Sequence, residues 1–173
     1  MLLVCGDVEK STEQKIKQYI DEYGKWLSNL CYVLCKNKCD AEDVYQETWV
    51  KIISNFYRFD KKRDFRPWAT KICVNCFKDL CRKRKRSADF SSDEEKQRFL
   101  ASIPSITEED KQDYSKLYEA LERLNTNERI AISLFYFHDI SGETAAKIMG
   151  KSYGSFRLLI SRTLKKLRKE LEK

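Results

Sequence analysis

Apolar side chains recur every three or four positions along most of the chain, which is the spacing of one face of an α-helix. One such run extends from about Ser11 to Lys38, and a second begins near Asp40. Asp40 is a favourable N-cap with Asp43 in the capping-box position, so we expect a second helix from Asp40 to about Phe56. Five glycines and two prolines leave few turns for a β fold. The pattern therefore predicts an all-α protein.

A third helix is predicted to start at Asp64, because Pro67 follows it and proline is tolerated only in the first helical turn. Its apolar stripe, which we expect to be buried, is formed by Phe65, Trp68, Ile72, Cys76 and Leu80. Beside the stripe runs a polar and cationic edge at spacings of four, three and four, formed by Lys71, Asn75, Lys78 and Arg82. Such an edge suits contact with phosphates and bases.

The last third of the chain predicts two short helices and a long one. The segment Asn125 to Glu128 has the capping-box pattern, and Ser141 is placed to cap a helix from Gly142 to Met149. Gly150 supplies a turn, and Ser152 is placed to cap a long basic helix. The side chains of that helix that we expect to face inward are Phe156, Ile160, Thr163, Leu164, Leu167 and Leu171. A short helix, a glycine turn and a basic helix are typical of a helix-turn-helix that binds DNA.

Charge is distributed unevenly along the chain, although the net charge is only +7. Residues 61–86 hold eleven Lys and Arg against two Asp and Glu, and residues 151–173 hold eight against two. Between them, residues 87–113 hold three against eight. Two basic segments separated by an acidic one indicate a protein that binds nucleic acid at two places.

The first half of the chain resembles conserved region 2 of a bacterial sigma factor of the extracytoplasmic-function (ECF) type. The resemblance lies in Asp40 to Trp49, in Phe65 to Ile72, and in the spacing of Asn75, Asp79 and Arg82. In that family the first of these helices binds core RNA polymerase. The resemblance thus implies a polymerase contact through the solvent-facing residues Glu42, Asp43, Gln46 and Glu47.

The same family uses the following loop and helix to melt and read the minus-ten promoter element. Aromatic rings beside cations suit this role, because bases stack on aromatic side chains. The residues to which the resemblance assigns minus-ten contacts are Tyr57, Arg58, Phe59, Lys61, Lys62, Arg63, Lys71, Asn75, Lys78 and Arg82. One or two of the aromatic residues in this loop could instead belong to the core.

The last third resembles region 4 of the same family, which binds the minus-thirty-five element and the polymerase flap. The matching segments include Ala146 to Gly150 and Ser161-Arg162. The positions that depart from the family pattern are Thr144, Ala145, Phe156, Leu158 and Leu159. We therefore expect the DNA sequence that is read to differ from that of well-known relatives. The residues expected to contact the minus-thirty-five element are Arg157, Leu158, Ser161, Arg162 and Lys165.

The expected organisation is two small helical domains, residues 1–86 and 113–173, joined by an acidic linker over residues 87–112. The expected protein is a cytoplasmic sigma factor without catalytic activity, because neither a signal peptide nor a catalytic constellation is evident. Core RNA polymerase and promoter DNA are its expected partners, with an anti-sigma factor left open.

The seven cysteines leave open an alternative to the sigma-factor interpretation, in another class of protein. Cys31, Cys35 and Cys39 share one helix face, and Cys73 and Cys76 form a C-x-x-C pair, which could indicate a thiol- or metal-responsive sensor. The favoured interpretation is that these thiols act as small core residues, with no metal and no cofactor. A stand-alone helix-turn-helix regulator is the other alternative.

Overall fold

The computed structural model describes residues 3–35, 37–87, 119–121, 123–137 and 140–172, with side chains from residue 13 onward except those of residues 85–87 and 137. Its first part holds α1 (Leu3–Leu34), α2 (Lys38–Asn55), a 3-10 turn (Phe56–Arg58) and α3 (Phe65–Ser87). These three helices pack on one another and are called the N-terminal bundle below.

The start of α2 differs from the prediction, which made Asp40 the N-cap. The helix begins at Lys38, and the cap is Asn37, whose Oδ1 accepts a hydrogen bond of 2.8 Å from the Asp40 backbone N–H. Asp40 is buried and pairs with Arg84 of α3, at 2.5 Å between Nη2 and Oδ1. Because the Asp40 carboxylate is engaged in this ion pair, Asn37, three positions earlier, caps the helix.

The second part holds α4 (Thr126–Ile132), a π-helical turn (Ser133–Phe137), α5 (Gly142–Met149) and α6 (Tyr153–Leu171), which together are called the C-terminal bundle below. The predicted capping box is present, since Asn125 and Glu128 each accept a hydrogen bond from the other's backbone N–H. Lys166 of α6 binds Glu128 at 3.0 Å and so holds α6 against the start of α4.

The turn between α5 and α6 follows the predicted glycine signal. Ser141 caps α5 and Ser152 caps α6, each through its side-chain oxygen. Gly150 has a φ of 68°, in the left-handed region, and the backbone N–H of Lys151 reaches the Ala146 carbonyl at 2.9 Å. This arrangement satisfies the last carbonyls of α5 and starts α6 at a fixed angle, as a helix-turn-helix requires.

An aromatic cluster lies between α1, the 3-10 turn and the start of α3. Tyr19 of α1 contacts the rings of Phe56, Phe59 and Phe65, with centroids 4.7 to 6.1 Å apart. Phe59 also lies 4.8 Å from Trp68. Burying rings of this size supplies much of the free energy that holds the bundle together.

The buried face of α3 is wider than the predicted stripe. Phe65 and Cys76 are buried as expected, whereas Trp68, Ile72 and Leu80 are only half-buried. The other residues of α3 that are fully enclosed are Ala69, Thr70, Cys73, Val74 and Phe77. The reason is that α3 packs against α1 and α2 on one side and against α5 on another.

The two bundles pack against each other through α3 and α5 and through α1 and the π-helical turn. Arg129 of α4 is buried at this boundary, where its guanidinium donates to the carbonyls of Leu121 at 2.7 Å and Leu34 at 3.5 Å. Leu34 is the last residue of α1, where the helix dipole favours a cation. Arg129 therefore links the C-terminal bundle to α1.

The predicted all-α class with two helical bundles is confirmed, and the described residues contain no strand. Among the described helices, none combines the length and the apolarity needed to cross a membrane. Residues 88–112 of the predicted linker lie outside the described residues.

Candidate polymerase and nucleic-acid interfaces

The outer face of α2 carries the four residues predicted to bind polymerase. Glu42, Asp43, Gln46 and Glu47 are all exposed, because the opposite face of the helix is buried in the N-terminal bundle. Glu42 pairs with Lys38 and Glu47 pairs with Lys51, whereas no described cation pairs with Asp43. The face is therefore acidic and takes little part in holding the fold.

Two apolar residues on this face were not included in the prediction. Val50 is 58% exposed and Ile53 is 44% exposed, in line with Gln46 and Glu47 at helical spacing. Beside them a groove of about 610 Å³ runs between α2 and α3, and Asp79, Arg82 and Lys83 form its far wall. In the sequence, Val50 and Ile53 are apolar residues that lie outside the predicted buried stripe of α2. Apolar residues at such positions indicate a surface that another protein covers.

The loop between α2 and α3 places its two aromatic residues very differently. Tyr57 is 75% exposed, with the Arg58 guanidinium 5.1 Å from its ring centroid. Phe59 is buried in the aromatic cluster, so in this conformation its ring is not accessible to a base. The predicted cations Lys61, Lys62 and Arg63 are all exposed. Asp60 accepts a hydrogen bond from the Lys62 backbone N–H and pairs with Arg63.

The predicted edge of α3 is only partly open to solvent. Lys71, Asn75 and Arg82 are exposed, and Arg82 pairs with Asp79 of the same helix. Lys78 is half-buried, and burial lowers its pKa from the ordinary lysine value, with smaller contributions from the charges of Lys151 and Arg82. The edge is therefore open to solvent at Lys71, Asn75 and Arg82 and less open at Lys78.

The recognition helix α6 exposes every residue predicted to contact the minus-thirty-five element. These residues are Arg157, Leu158, Ser161, Arg162 and Lys165. Leu158 is 59% exposed, and the Arg157 guanidinium lies 5.9 Å from the centroid of the Tyr153 ring. Cations, a hydroxyl and an apolar side chain can together bind phosphates, base edges and a thymine methyl group.

An apolar groove of about 870 Å³ lies beside these residues on α6. The expectation that Leu164 and Leu171 face inward is not met, since they are 40% and 42% exposed and line this groove. Phe135 of the π-helical turn lines it as well. Phe156, Ile160 and Leu167 are buried in the core of the C-terminal bundle, whereas the two leucines stay partly exposed among the described residues.

The cysteines lie mainly in the core of the N-terminal bundle. Cys31, Cys35, Cys73 and Cys76 are buried, and the sulfurs of Cys31 and Cys73 are 3.6 Å apart. The hydrogen bond with Cys73 and burial raise the pKa of Cys31, and burial raises those of Cys35 and Cys76. No group of side chains suited to hold a metal is found among the described residues.

Comparison with known families gives two matches that together cover most of the chain. The model of Sigma-70 region 2 matches residues 19–87, and the model of Sigma-70 region 4 matches residues 114–167. The chain is 28% identical to RNA polymerase sigma factor SigV of Bacillus subtilis, over 95% of this chain and 96% of that one. It is also 28% identical to the ECF RNA polymerase sigma factor SigE of Mycolicibacterium smegmatis, over 94% of this chain and 62% of that one.

Two solved structures share the fold. One is the sigma factor RpoE of Bartonella quintana in complex with the anti-sigma factor NepR, with a TM-score of 0.75 and 24% identity over 92% of this chain and 98% of that one. The other is CnrH in complex with the cytosolic domain of CnrY, with a TM-score of 0.67 and 22% identity over 92% and 89% of the two chains. The N-terminal bundle thus corresponds to region 2 and the C-terminal bundle to region 4, and the chain belongs to the ECF-type sigma factors, which direct the initiation of transcription.

Proposed function

We propose that the chain docks on core RNA polymerase through the outer face of α2, and that the polymerase then presents regions 2 and 4 to a promoter. The observation that carries this assignment is the combination on one face of exposed acidic residues with Val50 and Ile53. Exposed apolar side chains among charges are typical of protein–protein contact surfaces. The acidic residues complement a basic surface on the partner and favour one orientation of the two proteins.

The experiment is co-purification of core polymerase with the variant Asp43→Lys/Gln46→Lys. Neither side chain has a described partner, so the added positive charge should leave the helical circular dichroism unchanged while capture of polymerase falls by about tenfold or more. Asp21→Lys, at an exposed position of α1, adds positive charge away from the face and serves as the control. Equal capture by both variants and the parent would refute the assignment.

A second experiment tests the apolar half of the same face. Val50→Asp should reduce capture of polymerase without lowering the free energy of unfolding, because the side chain is already in water. If Val50→Asp folds and captures polymerase as the parent does, the apolar half of the face takes no part in the contact.

We infer the division of promoter contacts from the same surfaces. Tyr57, Arg58 and the cations of residues 61–63, with Lys71, Asn75, Lys78 and Arg82 of α3, form the proposed minus-ten surface. Phe59 is left out of it because its ring is buried. The exposed residues of α6 form the proposed minus-thirty-five surface. In this proposal the chain supplies recognition and strand separation, the polymerase supplies the chemistry, and the chain works in the cytoplasm.

We propose further that an anti-sigma factor binds the chain, since the structurally similar RpoE of Bartonella quintana is in complex with the anti-sigma factor NepR. Pull-down from the source cell with the tagged chain, followed by mass spectrometry, tests this. Recovery of polymerase subunits alone under every growth condition tried would count against it.

A further inference from the structure

Tyr153 is an exposed aromatic residue at the start of the recognition helix α6, where its side chain remains 48% exposed. Arg157 follows four positions later, so the two side chains lie one above the other on the same face of the helix. The guanidinium carbon of Arg157 is 5.9 Å from the centroid of the Tyr153 ring. This distance is within the range of a cation–π interaction.

The Tyr153 ring is itself held in place by the neighbouring helix. A Cβ built on Gly142, the first residue of α5, would lie 3.0 Å from Cε2 of Tyr153 and 3.4 Å from Cε2 of Phe135. The first of these distances is shorter than an ordinary contact, so the ring lies directly against the Gly142 backbone. The ring therefore occupies a fixed place between α5 and the Arg157 guanidinium.

A fixed ring matters because an exposed arginine has many rotamers, whereas the two parallel hydrogen bonds to guanine require one orientation of the guanidinium. None of the ion pairs found among the described residues involves Arg157. The contact with Tyr153 is thus a restraint on this guanidinium that does not neutralise its charge. Arg157 also lies near the amino end of α6, the part of a recognition helix that reaches base edges.

We propose that Tyr153 positions Arg157, and that this positioning makes Arg157 selective for one base pair of the minus-thirty-five element. Tyr153 is then a positioning residue, which acts through Arg157 and need not contact DNA. The inference rests on the proposed function of α6, since it takes Arg157 as a residue that contacts the minus-thirty-five element.

The test is selection from a randomised minus-thirty-five library by holoenzyme assembled from core polymerase and the full chain. Arg157→Ala should relax the preference at one base pair by about fivefold or more, as expected when a bidentate contact is lost. Tyr153→Ala should relax the preference at the same base pair by about two- to fivefold, which corresponds to an exposed cation–π interaction. The double variant should match Arg157→Ala, because no guanidinium remains to be positioned.

Two conservative variants separate positioning from packing. Tyr153→Phe keeps the ring and should keep the parental base preference. Tyr153→Leu keeps an apolar side chain against Gly142 but has no π face, so it should relax the preference as Tyr153→Ala does. Tyr136→Ala removes another exposed tyrosine of region 4 and serves as the control, which should keep the parental preference. Helical circular dichroism of every variant should match that of the parent.

The outcomes distinguish this inference from the proposed function. If Arg157→Ala relaxes the preference and Tyr153→Ala does not, the positioning role is wrong while the minus-thirty-five assignment of Arg157 stands. If Arg157→Ala changes no base preference, Arg157 is not selective, and both the inference and that assignment fail. If the two single variants relax different base pairs, or if their losses multiply in the double variant, Tyr153 contacts DNA on its own and does not act through Arg157.

Discussion

Tyr57 and Phe59 are two residues apart in the loop after α2, and both were predicted to stack on promoter bases. The 3-10 turn directs Tyr57 into solvent and Phe59 into the aromatic cluster. Aromatic side chains two positions apart in one loop can therefore have different roles, recognition for Tyr57 and stability for Phe59. Substitution of each in turn distinguishes the two roles.

We expect Tyr57→Ala to reduce formation of the open promoter complex, read by permanganate reactivity, by about tenfold or more, because base stacking is worth about 1–3 kcal/mol. Its free energy of unfolding should change little, since the ring is in water. Phe59→Ala should instead lower the free energy of unfolding by about 3–5 kcal/mol, as expected for a buried ring. Equal effects of Tyr57→Ala on closed and open complexes would contradict a role in melting.

Arg162 and Lys169 are both exposed on α6 but are expected to contact different parts of DNA. Arg162 can bind guanine through two hydrogen bonds worth about 1–3 kcal/mol, so Arg162→Ala should relax preference at one base pair. Lys169 lies further along the helix. Lys169→Ala should reduce the slope of log affinity against log salt concentration by about one and leave sequence preference unchanged.

Selection from a randomised minus-thirty-five library at two salt concentrations measures both quantities. If the two variants keep the parental base preference and lose affinity alike, Arg162 contributes only charge and is not a reader.

At the scale of elements, the turn between α5 and α6 sets how the recognition helix is presented. Gly150 and Gly154 flank Ser152, and a Cβ built on either meets nothing within 4 Å. They differ in backbone conformation, because Gly150 is left-handed and Gly154 lies within the first turn of α6. Space is therefore not what requires glycine at position 150.

We predict that Gly150→Ala lowers the free energy of unfolding by about 1–2 kcal/mol, the strain of a left-handed residue with a Cβ. Gly154→Ala should raise it by about 0.5–1 kcal/mol, because alanine favours the helix and restricts the unfolded chain. Urea denaturation of both variants measures the difference. A loss of stability in Gly154→Ala would mean that region 4 uses that position for close contact.

At the scale of the whole molecule, the buried thiols connect stability to pH. The pKa values of Cys31 and Cys35 are raised, by the contact with Cys73 and by burial, above the ordinary value of 9.0. Above pH 9.0 the unfolded chain therefore loses thiol protons that the folded chain keeps. The unfolded state is then favoured as the pH rises, and the stability present below this value is progressively lost.

We expect the free energy of unfolding to fall above that pH by up to about 1.4 kcal/mol per pH unit for each buried thiol. The double variant Cys31→Ala/Cys35→Ala should be less stable at neutral pH but show a shallower decline. Cys39→Ser, at an exposed cysteine, should keep the parental slope. Denaturant titrations across the alkaline range test this, and identical slopes in the double variant and the parent would contradict it.

Much of this protein is determined by local sequence. Helical periodicity and the caps Asn125, Ser141 and Ser152 predict the elements correctly, because capping bonds form between residues three positions apart. Gly150 is likewise predictable, since a left-handed turn favours glycine whatever surrounds it. The exposed faces of α2 and α6 follow from the same periodicity.

Tertiary packing decided the remainder. Asn37, and not Asp40, caps α2, because the Asp40 carboxylate pairs with Arg84, which is distant in sequence. Phe59 is buried because Tyr19 and Trp68 meet at its position, and the buried face of α3 is widened because α5 packs on it. Lys78 is half-buried, and its pKa is lowered by burial and by the charge of Lys151, which acts on it only in the folded chain.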